Sequence, residues 1–146
     1  MNAVIGIGNL LRADDGVGIH VVQRLEDEIT GCEAVDMATA GIDLLGHIRG
    51  REKVVIVDAI ITGSEPGTIH RVSTHEMRSP IFAKTHGLNL HGTLMLGQLL
   101  YPDEMPKKLV ILGVEIQDIT SFSDKLTSNV QRAIPQLMEA IKKEFI

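Results

Sequence analysis

The chain has 146 residues, of which 44% are hydrophobic and 23% are charged, which is the composition of an ordinary globular domain. A chain of this length buries roughly 70% of the surface that its unfolded form exposes. Because the composition is that of a globular domain, a disordered chain, a coiled coil and a collagen are excluded. The 19 acidic residues outnumber the 14 basic ones, for a net charge of −5, and only 3% of the residues are aromatic. This balance excludes the basic surface and the base-stacking side chains that nucleic-acid-binding proteins use.

The single cysteine and the short apolar runs are typical of a cytoplasmic protein. Cys32 cannot form an internal disulfide, and one cysteine excludes a cysteine-rich zinc site. The apolar run at residues 3–7 is too short for a signal peptide, and no run approaches the roughly 18 apolar residues of a membrane span. We therefore expect a cytoplasmic protein without a membrane partner.

The first half of the chain alternates between predicted strands and helices. An apolar strand at residues 3–7 precedes a helix over 17–29, in which apolar residues recur every fourth position. A second strand at 33–36 and a short helix at 41–48 follow. The continuous β-branched run at 54–57 indicates a central strand that is covered on both faces.

The second half continues this alternation. Residues 68–73 are predicted as a strand antiparallel to the preceding one, because only a short turn separates the two. A helix over 88–100 and a buried strand over 109–114 follow, and the last helix, over 126–145, contains Pro135, which should kink it or displace one hydrogen bond. The pattern predicts one three-layer α/β/α domain over all 146 residues, with a mostly parallel sheet of about five strands and one antiparallel member.

Acidic residues follow three of the predicted strands, at the edge where open α/β sheets bind their ligands. Asn9, Asp14 and Asp15 follow the first strand, Asp36 follows the second and Asp58 follows the third. Either of the two adjacent aspartates could simply cap the next helix. An aspartate directly after a buried strand must be solvated, hydrogen-bonded or paired with a cation, so Asp58 is the strongest functional candidate of the group.

Two of the six histidines compete for a place beside these carboxylates. His86 lies in a loop next to Gly87 at the entrance to the third helix, and His91 lies about one helical turn further on. Two carboxylates and one imidazole suit a first-row divalent metal such as nickel or zinc. Three protein ligands would leave coordination positions open for a metal that arrives with a substrate.

The glycines near the N-terminus do not make a convincing nucleotide site. Gly6 and Gly8 begin like a dinucleotide-binding fingerprint, but the sixth position is Leu11 and two aspartates follow, which would repel a pyrophosphate. A phosphate-binding P-loop and a serine nucleophile elbow are absent from the sequence, and Cys32 has no evident catalytic partner.

The motifs and their order resemble those of a known family. Residues 6–18, GIGNLLRADDGVG, resemble the opening motif of the hydrogenase maturation proteases, endopeptidases that trim the C-terminal tail of the large subunit of nickel–iron hydrogenases. Further blocks agree in order and spacing, at residues 36–45, 57–67, 85–94 and 112–114. The resemblance covers nearly the whole chain.

This resemblance implies a set of site residues. The family's metal contacts fall on Asp15, Asp58 and His86, which selects between the paired candidates left open above. The family's additional acidic residue falls on Asp36, so the implied catalytic carboxylates are Asp15, Asp36 and Asp58, with Asp36 as a general base. The family often has two glycines after that position, whereas residues 37–38 of this chain are Met-Ala.

The resemblance also implies an activity. It is that of an aspartic-type or metal-dependent endopeptidase that removes the C-terminal extension of a hydrogenase large-subunit precursor after nickel insertion. The precursor would be the partner and would supply the nickel, which serves as the recognition element. The alternatives are a nickel-binding adaptor that docks on the precursor without cutting it and a small-molecule hydrolase on the same fold. The net charge of −5 favours a neutral or basic docking surface on the partner.

Overall fold

The computed structural model describes residues 1–79, 87–118 and 120–146. The strands are β1 (Asn2–Ile7), β2 (Cys32–Met37), β3 (Lys53–Ile60), β4 (Ile69–Val72) and β5 (Lys108–Glu115). The helices are α1 (Val17–Leu25), α2 (Asp43–Ile48), α3 (Gly87–Leu100) and α4 (Ser128–Glu144). Two 3-10 turns, Ala13–Gly16 and Glu76–Arg78, precede α1 and follow β4.

The strands form one five-stranded sheet in the order β2-β1-β3-β5-β4. All neighbouring pairs are parallel except β4 with β5, which is antiparallel. The predicted α/β fold with a mostly parallel sheet is therefore confirmed. β4 runs opposite to β3 as expected, but it pairs with β5, which lies between the two. This order is reasonable because β5 is buried over most of its length, whereas the short, half-exposed β4 suits an edge.

Helices cover both faces of the sheet. We call the apolar residues under α2 and α3 the α2/α3 cluster; they include Ile5, Leu44, Ile48, Ile56, Ile60 and Leu90. The α1/α4 cluster on the other face includes Val4, Val21, Leu25, Val55, Val57, Ile134 and Leu137. Neighbouring residues of β3 thus enter opposite clusters, and both Val55 and Ile56 are 0% exposed, as the β-branched run predicts.

The start of α1 rests directly on the backbone of β1 and β3. A Cβ added at Gly18 would lie 2.6 Å from the carbonyl oxygen of Val57 and 2.7 Å from that of Ile7. A Cβ at Gly6 would lie 2.1 Å from the carbonyl oxygen of Gly18. Gly6, one of the two glycines that resemble a nucleotide fingerprint, therefore lets the helix touch the sheet together with Gly18, and this contact holds the turn before α1 at the carboxyl ends of the two strands.

The end of α1 differs from the sequence-based expectation. α1 ends at Leu25, and the carbonyl oxygen of that residue then accepts hydrogen bonds from the backbone N–H groups of Glu28 and Ile29. Ile29 still packs against the α1/α4 cluster, which explains why the apolar period outlasts the helix. α4 runs unbroken across Pro135. Over the three described ranges, none of the helices has the length and apolar character needed to cross a lipid bilayer.

Candidate functional site

Asp58 lies inside a buried strand near the carboxyl edge of the sheet. β3 continues past it to Ile60, further than the apolar run alone indicates, and Asp58 is 1% exposed. Its register partner on β5 is Gly113. By strand alternation it shares a face with Ile56 and Ile60, which belong to the α2/α3 cluster. The structure therefore places a carboxylate in an apolar layer, where a charge needs a compensating partner.

Asp15 lies in the 3-10 turn before α1, and this turn packs against β3. It is 2% exposed, and its Oδ2 accepts a hydrogen bond of 3.0 Å from the backbone N–H of Asn9. Gly8 has a φ of +152°, and a Cβ there would lie 2.0 Å from the backbone carbonyl oxygen of Asp15. The loop after β1 thus requires glycine at this point and aims an N–H group at the carboxylate.

Asp14, the neighbour that the strand-end reasoning could not exclude, has a structural role. Its Oδ2 accepts hydrogen bonds from the backbone N–H of Gln117 and of Asp118, both at 3.0 Å, and from Oγ1 of Thr127 at 2.7 Å. Its Oδ1 accepts the backbone N–H of Thr127, also at 2.7 Å. Thr127 is the N-cap residue of α4, so Asp14 fastens the turn before α1 to the start of the last helix.

Neither aspartate caps α1. The N-cap position of that helix is Gly16, and no side chain makes a capping hydrogen bond there. The capping explanation, which stood beside the functional one for both residues, is therefore wrong for α1. Asp14 and Asp15 instead point to different parts of the molecule: the side chain of Asp14 reaches the start of α4, and that of Asp15 reaches the loop after β1.

Asp36 occupies a different environment. It lies near the end of β2, where it is exposed and pairs with Gly6 in register. Along this strand Cys32 and Ala34 pack against the α1/α4 cluster. Strand alternation therefore directs Asp36 to that face, opposite to the face of Asp58. The structure brings Asp15 and Asp58 to neighbouring strand ends and leaves Asp36 at the sheet edge beside them.

The two histidine candidates can be compared only in part. His86 lies outside the described residues. His91 lies on α3, and its Nδ1 is 2.9 Å from the backbone carbonyl oxygen of Thr74, which gives this ring a structural contact. Among the residues that the structure describes, no three His, Cys, Asp or Glu side chains are grouped to hold a metal ion. The described part of the site thus consists of the two carboxylates.

A second buried acid, Glu115, was missed by the sequence reasoning. It ends β5, is 1% exposed, and its carboxylate accepts the backbone N–H of Thr62, at 2.8 Å to Oε2, and that of Ser64, at 2.9 Å to Oε1. The hydroxyl of Thr62 also donates to it. The rule that singled out Asp58, an acid at the end of an apolar strand, applies equally to Glu115 and would have found it.

The loop between β5 and α4 is organised around the carboxylate of Asp118. Hydrogen bonds from the Ser121 side chain and from the backbone N–H groups of Thr120 and Ser121 lower the pKa of Asp118 to about 2. The backbone carbonyl of Asp118 accepts the backbone N–H of Asp14 at 2.9 Å. Asp118 therefore orders the loop to which the turn before α1 is fastened.

Comparison with known proteins agrees with this architecture. The family model described as "Hydrogenase maturation protease" matches residues 19–144. The hydrogenase 2 maturation protease of Escherichia coli K12 is 28% identical, over 98% of this chain and 92% of that protein. The hydrogenase expression/formation protein HupD of Thiocapsa roseopersicina is 32% identical over 93% of this chain, which spans 63% of the length of that relative.

Solved structures give the same result. The hydrogenase maturating endopeptidase HybD from Escherichia coli superposes with a TM-score of 0.80 at 29% identity, over 96% of this chain and 88% of that one. HybD from Thermococcus kodakarensis, at 23% identity and a TM-score of 0.77, shares the fold. With most of its length matched by the family model, the chain belongs to the hydrogenase maturation protease family.

Proposed function

We propose that this chain is a cytoplasmic endopeptidase that removes the C-terminal extension of a nickel–iron hydrogenase large-subunit precursor after nickel insertion. The observation that carries the proposal is the pair of buried carboxylates, Asp15 and Asp58, at the ends of neighbouring strands in a fold like that of HybD. Cys32 is a free thiol, which suits a reducing cytoplasm.

The nickel belongs to the precursor and is part of the substrate. Asp15, Asp58 and His86 would contact it when the precursor docks, and two carboxylates with one imidazole are a donor set that first-row divalent metals accept. Burial of both carboxylates favours a cation between them. Such a cation can polarise the scissile carbonyl or make an attacking water more acidic.

The chain's own residues orient and shield the reacting groups. The N–H of Asn9 fixes one oxygen of Asp15, and the apolar α2/α3 cluster keeps water away from Asp58. Asp36, which is exposed, would act as a general base by taking a proton from the attacking water. Because strand alternation directs it to the other face of the sheet, we expect its replacement to cost less activity than replacement of Asp15 or Asp58.

The proposal is tested by incubating the purified protein with a nickel-loaded precursor and with the same precursor lacking nickel. We expect mass spectrometry to detect a released C-terminal peptide only from the loaded form. Asp15→Asn, Asp58→Asn and His86→Ala should each abolish release in a folded protein. Asp103→Asn, in an exposed loop, is the matched control and should cleave like the wild type.

The same assay separates the two alternatives. Stable binding of the loaded precursor without release of a peptide would refute the protease and support a nickel-binding adaptor. Equal cleavage of loaded and nickel-free precursor would refute nickel as the recognition element while leaving the peptidase activity in place. If the protein binds neither precursor, the small-molecule hydrolase is the functional hypothesis that remains.

A further inference from the structure

The outer face of α3 is apolar although it faces solvent. The helix, Gly87–Leu100, contains no Asp, Glu, Lys or Arg. Leu90 and Leu94 belong to the buried α2/α3 cluster, whereas Met95 is 57% exposed and Leu99 is 80% exposed. A surface helix normally carries charged side chains on its outer face, and a helix that is apolar all round is normally covered. The exposed side of α3 therefore has the composition of an interaction surface.

The exposed residues of this face form a seam that suits a second helix. Gly92, Met95 and Leu99 follow one another at spacings of three and four residues, which is the spacing at which one helix packs along another. A Cβ built at Gly92 would meet no atom within 4 Å, so the seam is open at this point and a partner backbone can come close. Grooves that bind a helix use a series of apolar contacts with this spacing.

Two hollows beside the seam make α3 one wall of a groove. The first has a volume of about 340 Å³ and lies between α3 and the segment before β5, where Met105 and Leu109 line it. The second has a volume of about 520 Å³ and lies between α3 and the 3-10 turn after β4. Thr74, His91 and Met95 line both hollows, so the two are continuous. We call the seam and the two hollows together the α3 groove.

The α3 groove carries a cation toward each end. Lys107 lines only the first hollow and Arg78 only the second, and no acid is among the described residues that line either one. Arg78 is exposed and forms no ion pair with any described residue. Lys107 is 3.2 Å from a carboxylate oxygen of Glu52, but both side chains are largely exposed, so this pair contributes little.

The local charge of the groove is opposite to that of the whole chain, whose net charge is −5. Overall charge favours a neutral or basic partner, but the α3 groove favours an acidic segment of that partner. A second copy of this chain fits less well, because two-fold docking of the groove on itself would bring the cations of one copy toward those of the other.

The position of α3 relates the groove to the candidate site. The helix begins at Gly87, the residue after His86, which the proposed function places on the nickel. With a rise of 1.5 Å per residue, Met95 lies about 12 Å along the helix from Gly87. A precursor segment in the groove would therefore lie beside the site and away from the bond that is cut.

We propose that the α3 groove is a docking site for an amphipathic helix of the hydrogenase large-subunit precursor, remote from the cut. The apolar side of that helix would lie along Met95 and Leu99. Its acidic residues would face Arg78 at one end of the groove and Lys107 at the other. The inference rests on the proposed endopeptidase function and adds the surface on which the enzyme holds its substrate.

The first test measures the affinity of the nickel-free precursor by calorimetry, because the groove does not involve the nickel and this precursor should not be cut. Arg78→Glu combined with Lys107→Glu should raise the dissociation constant about tenfold, and added salt should weaken binding by this variant less than binding by the wild type. Arg24→Glu combined with Arg132→Glu is the matched control. It makes the same change of charge on exposed faces of α1 and α4 and should bind within about twofold of the wild type. An equal loss in the two double variants would overturn the docking site.

A second variant removes apolar contact and leaves the charge unchanged. Leu99→Ser changes a side chain that is 80% exposed, so the fold should be retained, as circular dichroism can check. We expect the dissociation constant of the nickel-free precursor to rise about fivefold. For the nickel-loaded precursor, KM should rise and kcat should stay nearly unchanged, because the groove does not touch the reacting atoms. Ile146→Ser, at the exposed C-terminus, is the control and should change neither value.

These measurements separate the docking site from the endopeptidase. Cleavage by the wild type, with affinity and KM unchanged in Leu99→Ser and in the double variant of Arg78 and Lys107, would refute the docking site alone. Weakened binding by those variants, with no cleavage by the wild type, would refute the endopeptidase and retain the docking site.

A photo-crosslinking amino acid in place of Leu99 identifies what occupies the groove. We expect mass spectrometry to find one precursor peptide that has apolar residues at helical spacing and acidic residues toward both ends. A crosslinked peptide without acidic residues would overturn the proposal. A crosslink between two copies of this chain, with a dimer in light scattering, would also overturn it. The same holds for binding to vesicles of phosphatidylcholine and phosphatidylglycerol that Leu99→Ser abolishes, which would make the groove a membrane-binding surface.

Discussion

Asp14→Asn should destabilise the protein strongly, although the residue stands beside a candidate catalytic one. The amide oxygen can occupy the position of Oδ2 and keep its three donors, but the amide nitrogen then faces the backbone N–H of Thr127, which is 2.7 Å from Oδ1 in the native protein. A hydrogen bond to a charged acceptor contributes about 1.5–3 kcal/mol and a neutral one about 0.5–1.5 kcal/mol. Weakening three bonds and losing one gives an expected loss of about 3–5 kcal/mol.

Asp15→Asn should behave in the opposite way. The backbone N–H of Asn9 donates to its carboxylate at 3.0 Å, and an amide oxygen can still accept that bond, although more weakly than a charged oxygen. We therefore expect its free energy of unfolding to fall by less than that of Asp14→Asn. Cleavage of the nickel-loaded precursor should nevertheless disappear.

The assay is urea unfolding followed by circular dichroism, with precursor cleavage measured at a temperature where both variants are folded. The stability loss of Asp14→Asn corresponds to a fall in Tm of roughly 10–15 °C for a chain of this size, while its cleavage rate should stay close to that of the wild type. The reasoning is refuted if Asp14→Asn loses less than about 1 kcal/mol, or if Asp15→Asn loses as much as its neighbour.

Three further predictions follow from single contacts. Glu115→Gln should lower the free energy of unfolding by about 2 kcal/mol in urea titrations, because buried donors from the loop after β3 lose a charged acceptor. Gly18→Ala should cost about 3 kcal/mol or more, since its Cβ would meet the carbonyl oxygens of two strands at 2.6 and 2.7 Å; unchanged thermal unfolding would contradict this. Asp118 has a pKa lowered from 3.8 to about 2, so its stabilising effect is fully present above pH 3.8 and is lost as the pH falls toward 2. Asp118→Asn should therefore flatten the acid limb of the stability curve, and an unchanged limb would show that other carboxylates control it.

The sequence predicted the elements that local patterning specifies. The apolar run from Val54 to Val57 predicts a central strand because each of its residues packs into the apolar cluster on one face of the sheet or the other. The end of α1 was misplaced because Ile29 remains apolar for packing after the helix has ended. The sequence did not show that β4 pairs with β5. The short turn before β4 predicts only that β4 runs opposite to β3, whereas the order of the strands depends on which strand must be buried on both sides.

The sequence predicted which strand ends carry the candidate site. Asp58 was found because an acid after an apolar run is unusual, and the same signal marks Glu115. The local sequence could not show which of Asp14 and Asp15 has the structural role. The hydrogen-bond donors that distinguish them come from Gln117 and Thr127, which lie 103 and 113 positions after Asp14. Only the motif resemblance chose between the two, and the hydrogen bonds of Asp14 give the physical reason for that choice.

The attachment of Asp14 to the start of α4 also sets an order of events during synthesis. A ribosome adds roughly 5–20 residues per second, so about 6–20 s pass between the addition of Asp14 and that of Thr127, whose backbone and hydroxyl hold it 113 positions away. Until then the turn that carries Asp15 lacks its anchor, even though β1, α1 and β3 have already been made. The site proposed for this family member therefore matures with the last part of its own chain, and an unfinished copy carries Asp15 without the framework that holds its turn in place.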